Sequence, residues 1–196
     1  MARPLVRPMI GTWIRPNHLT TLRLLSGLAA AGCLATGTQA GINWGGVLWL
    51  ISAFLDRADG ELARLGRLTS ARGHVYDYYS DFTVNAVFFV AIGICLRNSW
   101  LGPWAVALGL LSGSSLFLVS LVSVWLEQRG PAGTQAYYGR WGFHTDDALF
   151  LLAPLAWFGW LVPVLIASSI AIPVITIITS VRLHRIKQAE MAEAGE

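Results

Sequence analysis

The sequence predicts an all-α integral membrane protein: six transmembrane helices behind a short N-terminal interfacial segment. Three observations carry this. Of 196 residues, 55% are apolar and 13% charged, whereas an ordinary soluble domain carries about 25% charged residues. Apolar runs near the roughly 20 residues needed to cross a bilayer recur along the chain. The basic residues gather at one end of those runs. This composition excludes a disordered chain and argues against a soluble globule. Nine Trp and 20 Gly suit indoles at bilayer interfaces and close helix approach. A net charge of +3 would also suit nucleic acid, but its distribution assigns it to a lipid surface. No nucleic-acid partner is expected.

Residues 1–18 form the interfacial segment. Pro4, Pro8 and three arginines interrupt it, and it lacks the sustained apolar run of a signal peptide. Trp13 is its expected anchor. Residues 19–187 form the bundle and 188–196 a polar tail, all in one membrane domain. The first span is Leu19 to Gly37. The second begins at Ile42 to Leu55 and runs into a charged stretch. The third, His74 to Leu96, is polar at first and apolar from Phe82. Trp100 to Leu126 is uncharged and forms the fourth. Ala148 to Val181 is also uncharged, but as one helix it would reach roughly 50 Å, against about 30 Å of hydrocarbon. It should break near Gly159 to Pro163 into spans five and six. Cys33 and Cys95 lie in apolar runs and read as small hydrophobes.

The cations test this count. Six spans put both termini on one side. That side receives Arg3, Arg7, Arg15, Arg23, Arg57, Arg64, Arg67, Arg72, Arg129, Arg140, Arg182, Arg185 and Lys187, leaving Arg97 opposite. Such asymmetry makes the rich side cytoplasmic. A five-span arrangement would scatter the same charges.

The charged stretch holds the chemistry. Asp56 and Asp59 are i, i+3 on one helix. Asp77 and Asp81 are i, i+4 on the next, so each pair shares a face. Antiparallel packing would bring the pairs together at the cytoplasmic surface. Ionisable groups at such depth need a cavity and partners. Clustered carboxylates repel unless a cation neutralises them. Hard divalent ions fit, with Mg²⁺ commonly shared between carboxylates and substrate phosphates, and a pair of ions can clamp a transferring phosphoryl group. Gly60 and Ala63 leave room for a substrate, and Arg64 offers a fork for a phosphate oxygen. The bland alternative is interfacial charges paired with Arg57, Arg64, Arg67 and Arg72. A solvated loop, however, has no reason to hold Gly and Ala at fixed offsets between paired aspartates.

The run D-x2-D-G-x2-A-R-x8-G-x3-D-x3-D, met by Asp56, Asp59, Gly60, Ala63, Arg64, Gly73, Asp77 and Asp81, resembles the signature of the CDP-alcohol phosphotransferases (CDP-alcohol phosphatidyltransferases). Pro16, Asn17 and Thr20 look like the segment before the family's first span. The resemblance implies transfer of a substituted phosphate from a CDP-linked donor, with CDP-diacylglycerol favoured, to an alcohol, releasing CMP, in phospholipid synthesis. It implies two Mg²⁺ (or Mn²⁺) ions held by Asp56, Asp59, Asp77 and Asp81. Asp56 and Asp77 would bridge both, Asp59 would complete the first and Asp81 the second. Asp81 would also be the general base. Asn17, Thr20, Gly60, Arg64 and Ser70 would hold the CDP part. A homodimer in a bacterial or archaeal cell membrane is implied, with both termini and the site cytoplasmic.

The acceptor is less legible. Arg140 and Arg182, near predicted span mouths, suit a polyol phosphate, whereas Asp146 and Asp147 would attract an amino alcohol. His144 reads as a polar loop residue. Asn85 extends the Asp77–Asp81 face, either lining a cavity or bonding another helix. Gly109-x3-Gly113 is a helix-packing spacing and a weak dimer cue. Three other readings compete, one of them a non-catalytic membrane scaffold, against which the intact motif argues. A cation transporter would put carboxylates near the midplane of broken helices. An intramembrane prenyltransferase would carry its aspartate motifs far apart.

Overall fold

The computed structural model describes residues 6–129 and 149–193, and the regular structure among them is helical. Helix α1 spans Pro16–Ala35, α2 Gln39–Leu65, α3 Ala71–Cys95, α4 Trp104–Arg129, α5 Leu152–Trp157 and α6 Leu161–Glu193. Local chemistry sets the ends. Pro16 opens α1, where no N–H is needed. Thr38 caps α2 by accepting the Gly41 N–H at 3.0 Å, and Ser70 caps α3 by accepting the Gly73 N–H at 3.1 Å.

Two helices end in the same paired-bond turn. At the end of α2, Leu68 N–H donates to the Ala63 carbonyl at 3.0 Å, with Arg67 left-handed at φ 53°. At the end of α5, Trp160 N–H donates to the Leu155 carbonyl at 2.8 Å, with Gly159 at φ 75°. Glycine suits the left-handed position and arginine does not, so the α2–α3 turn carries strain that the α5–α6 turn avoids. The second turn is the break expected near Gly159 to Pro163.

Among the described residues four helices are long and apolar enough to cross a membrane: α1, α3 extended to Asn98, α4, and α6. Helix α2 has 27 residues, but the stretch from Asp56 to its end carries Asp56, Arg57, Asp59, Glu61 and Arg64. The expected fifth span is described only from Leu149, and α5 itself has six residues. The tail expected from residue 188 continues α6 as far as Glu193. The described part of the segment before α1 packs on the bundle: Val6 is buried with Leu19, Ala58 and Leu62, while Trp13 is 81% exposed.

Helix α1 packs between α2 and α3, α4 packs on α3 and α6, and α5 covers α2. In the core Trp49 stacks on Phe88 at 3.8 Å between centroids. The Gly109/Gly113 spacing is spent inside the chain. A Cβ on Gly109 would stand 2.9 Å from Gly93 Cα, and one on Gly113 2.5 Å from the Ala86 carbonyl oxygen. These glycines bring α3 and α4 together and lend no face to a dimer. Polar contacts join α4 to α6: Thr176 donates to the Ser115 carbonyl at 3.0 Å, and the Ser112 and Ser168 hydroxyls lie 3.2 Å apart. Leu126 packs on Leu183 further along. The two helices therefore run parallel. Trp157 Nε1, donating to the Asn43 carbonyl at 3.4 Å, shows the chain back beside the start of α2 before α6 begins.

Candidate active site

The start of α1, the end of α2 and the start of α3 meet at one end of the bundle. They enclose a cavity of about 530 Å³ whose lining includes Asn17, Thr20, Gly60, Arg64 and Ser70, with Asp59 and Asp77. All five residues expected on the nucleotide side thus share one space. The α2–α3 turn makes α3 antiparallel to α2, and this brings the halves of the aspartate run together. One carboxylate oxygen from each of Asp56, Asp59 and Asp77 lies within 4.8 Å of the other two. Asp59 is only 3% exposed. Its Oδ2 accepts a hydrogen bond from the Thr20 hydroxyl at 2.8 Å. Asp77 Oδ1 is buried with no hydrogen-bond partner.

That orphaned oxygen bears on the expected metal. A buried carboxylate oxygen left unpaired costs free energy, and three converging hard oxygens are what a small divalent cation takes. The donor set fits. Thr20 departs in detail from expectation: it lines the cavity, but its hydroxyl proton is given to Asp59. Ser70 likewise serves the backbone as the α3 cap, which sets the first turn of α3 against the cavity. Gly60 is open, since a Cβ there would meet nothing nearer than the Arg64 guanidinium at 3.6 Å. Gly73 is tight: its Cβ would stand 2.9 Å from Ser70 Oγ and 3.1 Å from Asn17 Oδ1.

Asp81 stands apart from the trio. Its Oδ1 accepts from Asn85 Nδ2 at 2.8 Å and is paired with Arg23 Nη2. Asn85 therefore bonds its own helix, one turn on, and also lines a second hollow of about 20 Å³ with Arg23, Asp56 and Asp81. Arg23 Nε also lies 3.1 Å from Asp56 Oδ1. The carboxylates thus form a partition, with Asp59 and Asp77 facing the large cavity and Asp56 and Asp81 facing the small one.

Arg23 was counted from sequence only as part of the positive belt. It is 3% exposed. An arginine seven residues into a spanning helix, near intramembrane aspartates, is the signal that would have found it. Arg64 pairs with Glu61 at 3.1 Å and leaves its exposed face to the cavity. Arg182 is exposed on α6 and lines neither cavity. Arg140, His144, Asp146 and Asp147 lie outside the described residues.

Known proteins point the same way. A family model described as CDP-alcohol phosphatidyltransferase matches residues 13–182. The bifunctional IPC transferase and DIPP synthase of Aquifex aeolicus (strain VF5) is 34% identical over 103 residues, 52% of this chain and 23% of that protein. Cholinephosphotransferase 1 of Danio rerio is 35% identical over 95 residues, 44% of this chain and 24% of that protein. The matched stretch covers less than a quarter of either relative. The aspartate motif is one compact run, from Asp56 late in α2 to Asp81 midway along α3, unlike the widely separated motifs of the prenyltransferase reading. With the family model matched from before α1 into α6, the chain belongs to the CDP-alcohol phosphatidyltransferase family.

Proposed function

We propose that this chain is a membrane transferase that moves a substituted phosphate from a CDP-linked donor to an alcohol and releases CMP, in phospholipid synthesis. CDP-diacylglycerol is the first candidate donor. The observation that carries the reading is the shared cavity: the five nucleotide-side residues line one space whose floor holds Asp59 and Asp77. Asn17, Gly60, Arg64 and Ser70 bind the CDP part, with Gly60 admitting it close to α2. Arg64 supplies a charge-assisted fork for phosphate oxygen. Thr20 orients Asp59.

Asp56, Asp59, Asp77 and Asp81 would hold two Mg²⁺ (or Mn²⁺) ions. When bound, these offset the charge of the donor diphosphate and of the leaving CMP. Asp81 accepts the proton of the acceptor hydroxyl. Its place across the partition from the nucleotide residues supports this, because in-line displacement needs the nucleophile opposite the leaving group. A carboxylate is a weak base for an alcohol, so its contribution comes from position. Arg140 and Arg182 would bind a phosphorylated acceptor. The enzyme would be a homodimer of six-span subunits with the site and both termini cytoplasmic.

The test is a screen of labelled CDP-diacylglycerol against serine, glycerol phosphate, inositol phosphate and inositol, with CMP and lipid products read separately. Because the Danio rerio relative is a cholinephosphotransferase, the screen also includes the reverse arrangement, a soluble CDP-alcohol with a lipid acceptor. If a folded protein in lipid yields CMP with no pairing of either arrangement, the reading fails.

A further inference from the structure

Arg23 is the buried cation that joins the carboxylates of two helices. From α1 its Nε lies 3.1 Å from Asp56 Oδ1 on α2, an ion pair without hydrogen-bond alignment, and its Nη2 donates to Asp81 on α3. Its own backbone is fixed as well, since Ser52 on α2 donates to the Arg23 carbonyl at 2.9 Å. Asn85 donates to the same Asp81 oxygen, Oδ1, at 2.8 Å. Two donors on one oxygen fix the plane of a carboxylate and direct its other oxygen elsewhere. Arg23 lines the small hollow with Asp81 and is absent from the lining of the nucleotide cavity.

We infer that Arg23 is a positioning residue for the transfer reaction: with Asn85 it grips Asp81 by Oδ1 and ties it to Asp56, leaving Oδ2 to face the acceptor hydroxyl. The inference rests on the function proposed above and deepens it. An arginine is required because a planar fork spans two carboxylates at once, whereas a lysine ammonium acts as a point charge. The helices of Asp56 and Asp81 are joined by a turn at the membrane surface, and the guanidinium adds a third helix to their alignment.

The experiment uses the full chain in lipid nanodiscs and compares wild type, Arg23→Gln, Arg23→Lys, Asp81→Asn and the Arg23→Gln/Asp81→Asn double variant. Turnover and donor KM are measured, along with binding of CMP with Mn²⁺ by calorimetry. Arg23→Gln should lose about 100-fold or more in kcat, with donor KM and CMP–Mn²⁺ binding within about threefold of wild type. Arg23→Lys should recover part of the turnover. The double variant should be no slower than Asp81→Asn alone, because Arg23 acts through Asp81. A merely structural prop would lower binding and turnover together and would add to the Asp81 defect. Wild-type kcat in Arg23→Gln, a tenfold loss of CMP–Mn²⁺ binding, or full additivity overturns the inference. If Arg23→Gln does not fold, Arg23→Lys, which keeps the buried charge, carries the same comparison with Asp81→Asn. Absence of transfer by the wild type sinks the proposed function and this inference with it. Transfer by the wild type with an indifferent Arg23 sinks the inference alone.

Discussion

The Thr20 hydroxyl on α1 donates to Asp59 Oδ2 on α2 at 2.8 Å, and both side chains are almost wholly buried. A hydrogen bond to a buried charged group contributes about 1.5–3 kcal/mol, and it fixes which carboxylate oxygen is left for a cation. Thr20→Val keeps the shape and removes the donor. It should raise the metal concentration needed for half-maximal activity about 10–100-fold, the usual consequence of losing a group that orients a ligand. Thr20→Ser should stay near wild type. Equal metal requirements in Thr20→Val and wild type would show that the bond does not orient Asp59 for metal.

How much of this site the sequence discloses depends on distance along the chain. The meeting of Asp56, Asp59 and Asp77 is legible because helical spacing sets the two aspartate pairs and the short turn between α2 and α3 brings their helices back together, whereas the separation of Asp81 from that trio is not. The break at Gly159 is legible for a similar local reason, a left-handed residue ending a run too long for one span. Arg23 is legible only as a cation inside a spanning helix: its partners are 33 and 58 positions away, so the sequence does not say which carboxylates it meets. The same holds for Gly109 and Gly113, whose spacing is compatible with a neighbour in the chain or in another copy. Only the close approach of Gly93 and Ala86 decides between these. Thr20 and Ser70 line the large cavity, but from sequence their hydroxyls could equally serve a ligand. In the structure they serve Asp59 and the α3 backbone.

Metal dependence follows from the orphaned Asp77 Oδ1 and the three oxygens within 4.8 Å. Activity should fall to background with excess chelator and return with Mg²⁺ or Mn²⁺. Asp77→Asn should lose turnover by orders of magnitude while the protein stays folded, since neutralising one member relieves repulsion in the cluster. Undiminished turnover in a thoroughly metal-free preparation would remove the ions from the reaction.

Gly73 offers a test of the nucleotide side that leaves the carboxylates alone. A methyl group there would stand 2.9 Å from Ser70 Oγ and 3.1 Å from Asn17 Oδ1. Both side chains line the cavity, and Ser70 must keep its bond to the residue 73 N–H to cap α3. Gly73→Ala should therefore push both side chains aside, costing about 1 kcal/mol of stability from the weakened cap. It should also raise donor KM about tenfold while changing kcat less. Melting in detergent and steady-state kinetics on the same preparation read the two effects. A wild-type donor KM would mean that Asn17 and Ser70 do not hold the nucleotide.

The topology can be tested from the two ends of the bundle. Arg97, the lone cation expected at the far end, donates from Nη1 to the Ala35 carbonyl at 2.9 Å and the Ile94 carbonyl at 2.8 Å. It therefore closes the C-terminal ends of α1 and α3, where a cation is favoured by the helix dipoles. This local task explains why one arginine stands against the charge bias without undermining it. Parallel packing of α4 and α6 means that the chain makes an even number of crossings up to the end of α6 if α2 and the stretch before α6 each cross once. With Cys33 and Cys95 replaced by alanine, single cysteines at Thr12 and His184 should react with an impermeant maleimide only from the cytoplasmic side. Single cysteines at Gln39 and Ser99 should react only from outside. All four positions are exposed or partly exposed. Opposite-side labelling of Thr12 and His184 would require an odd number of spans and end the six-span proposal. Labelling of both from outside would keep the span count but invert the orientation, putting the carboxylate site on the external face.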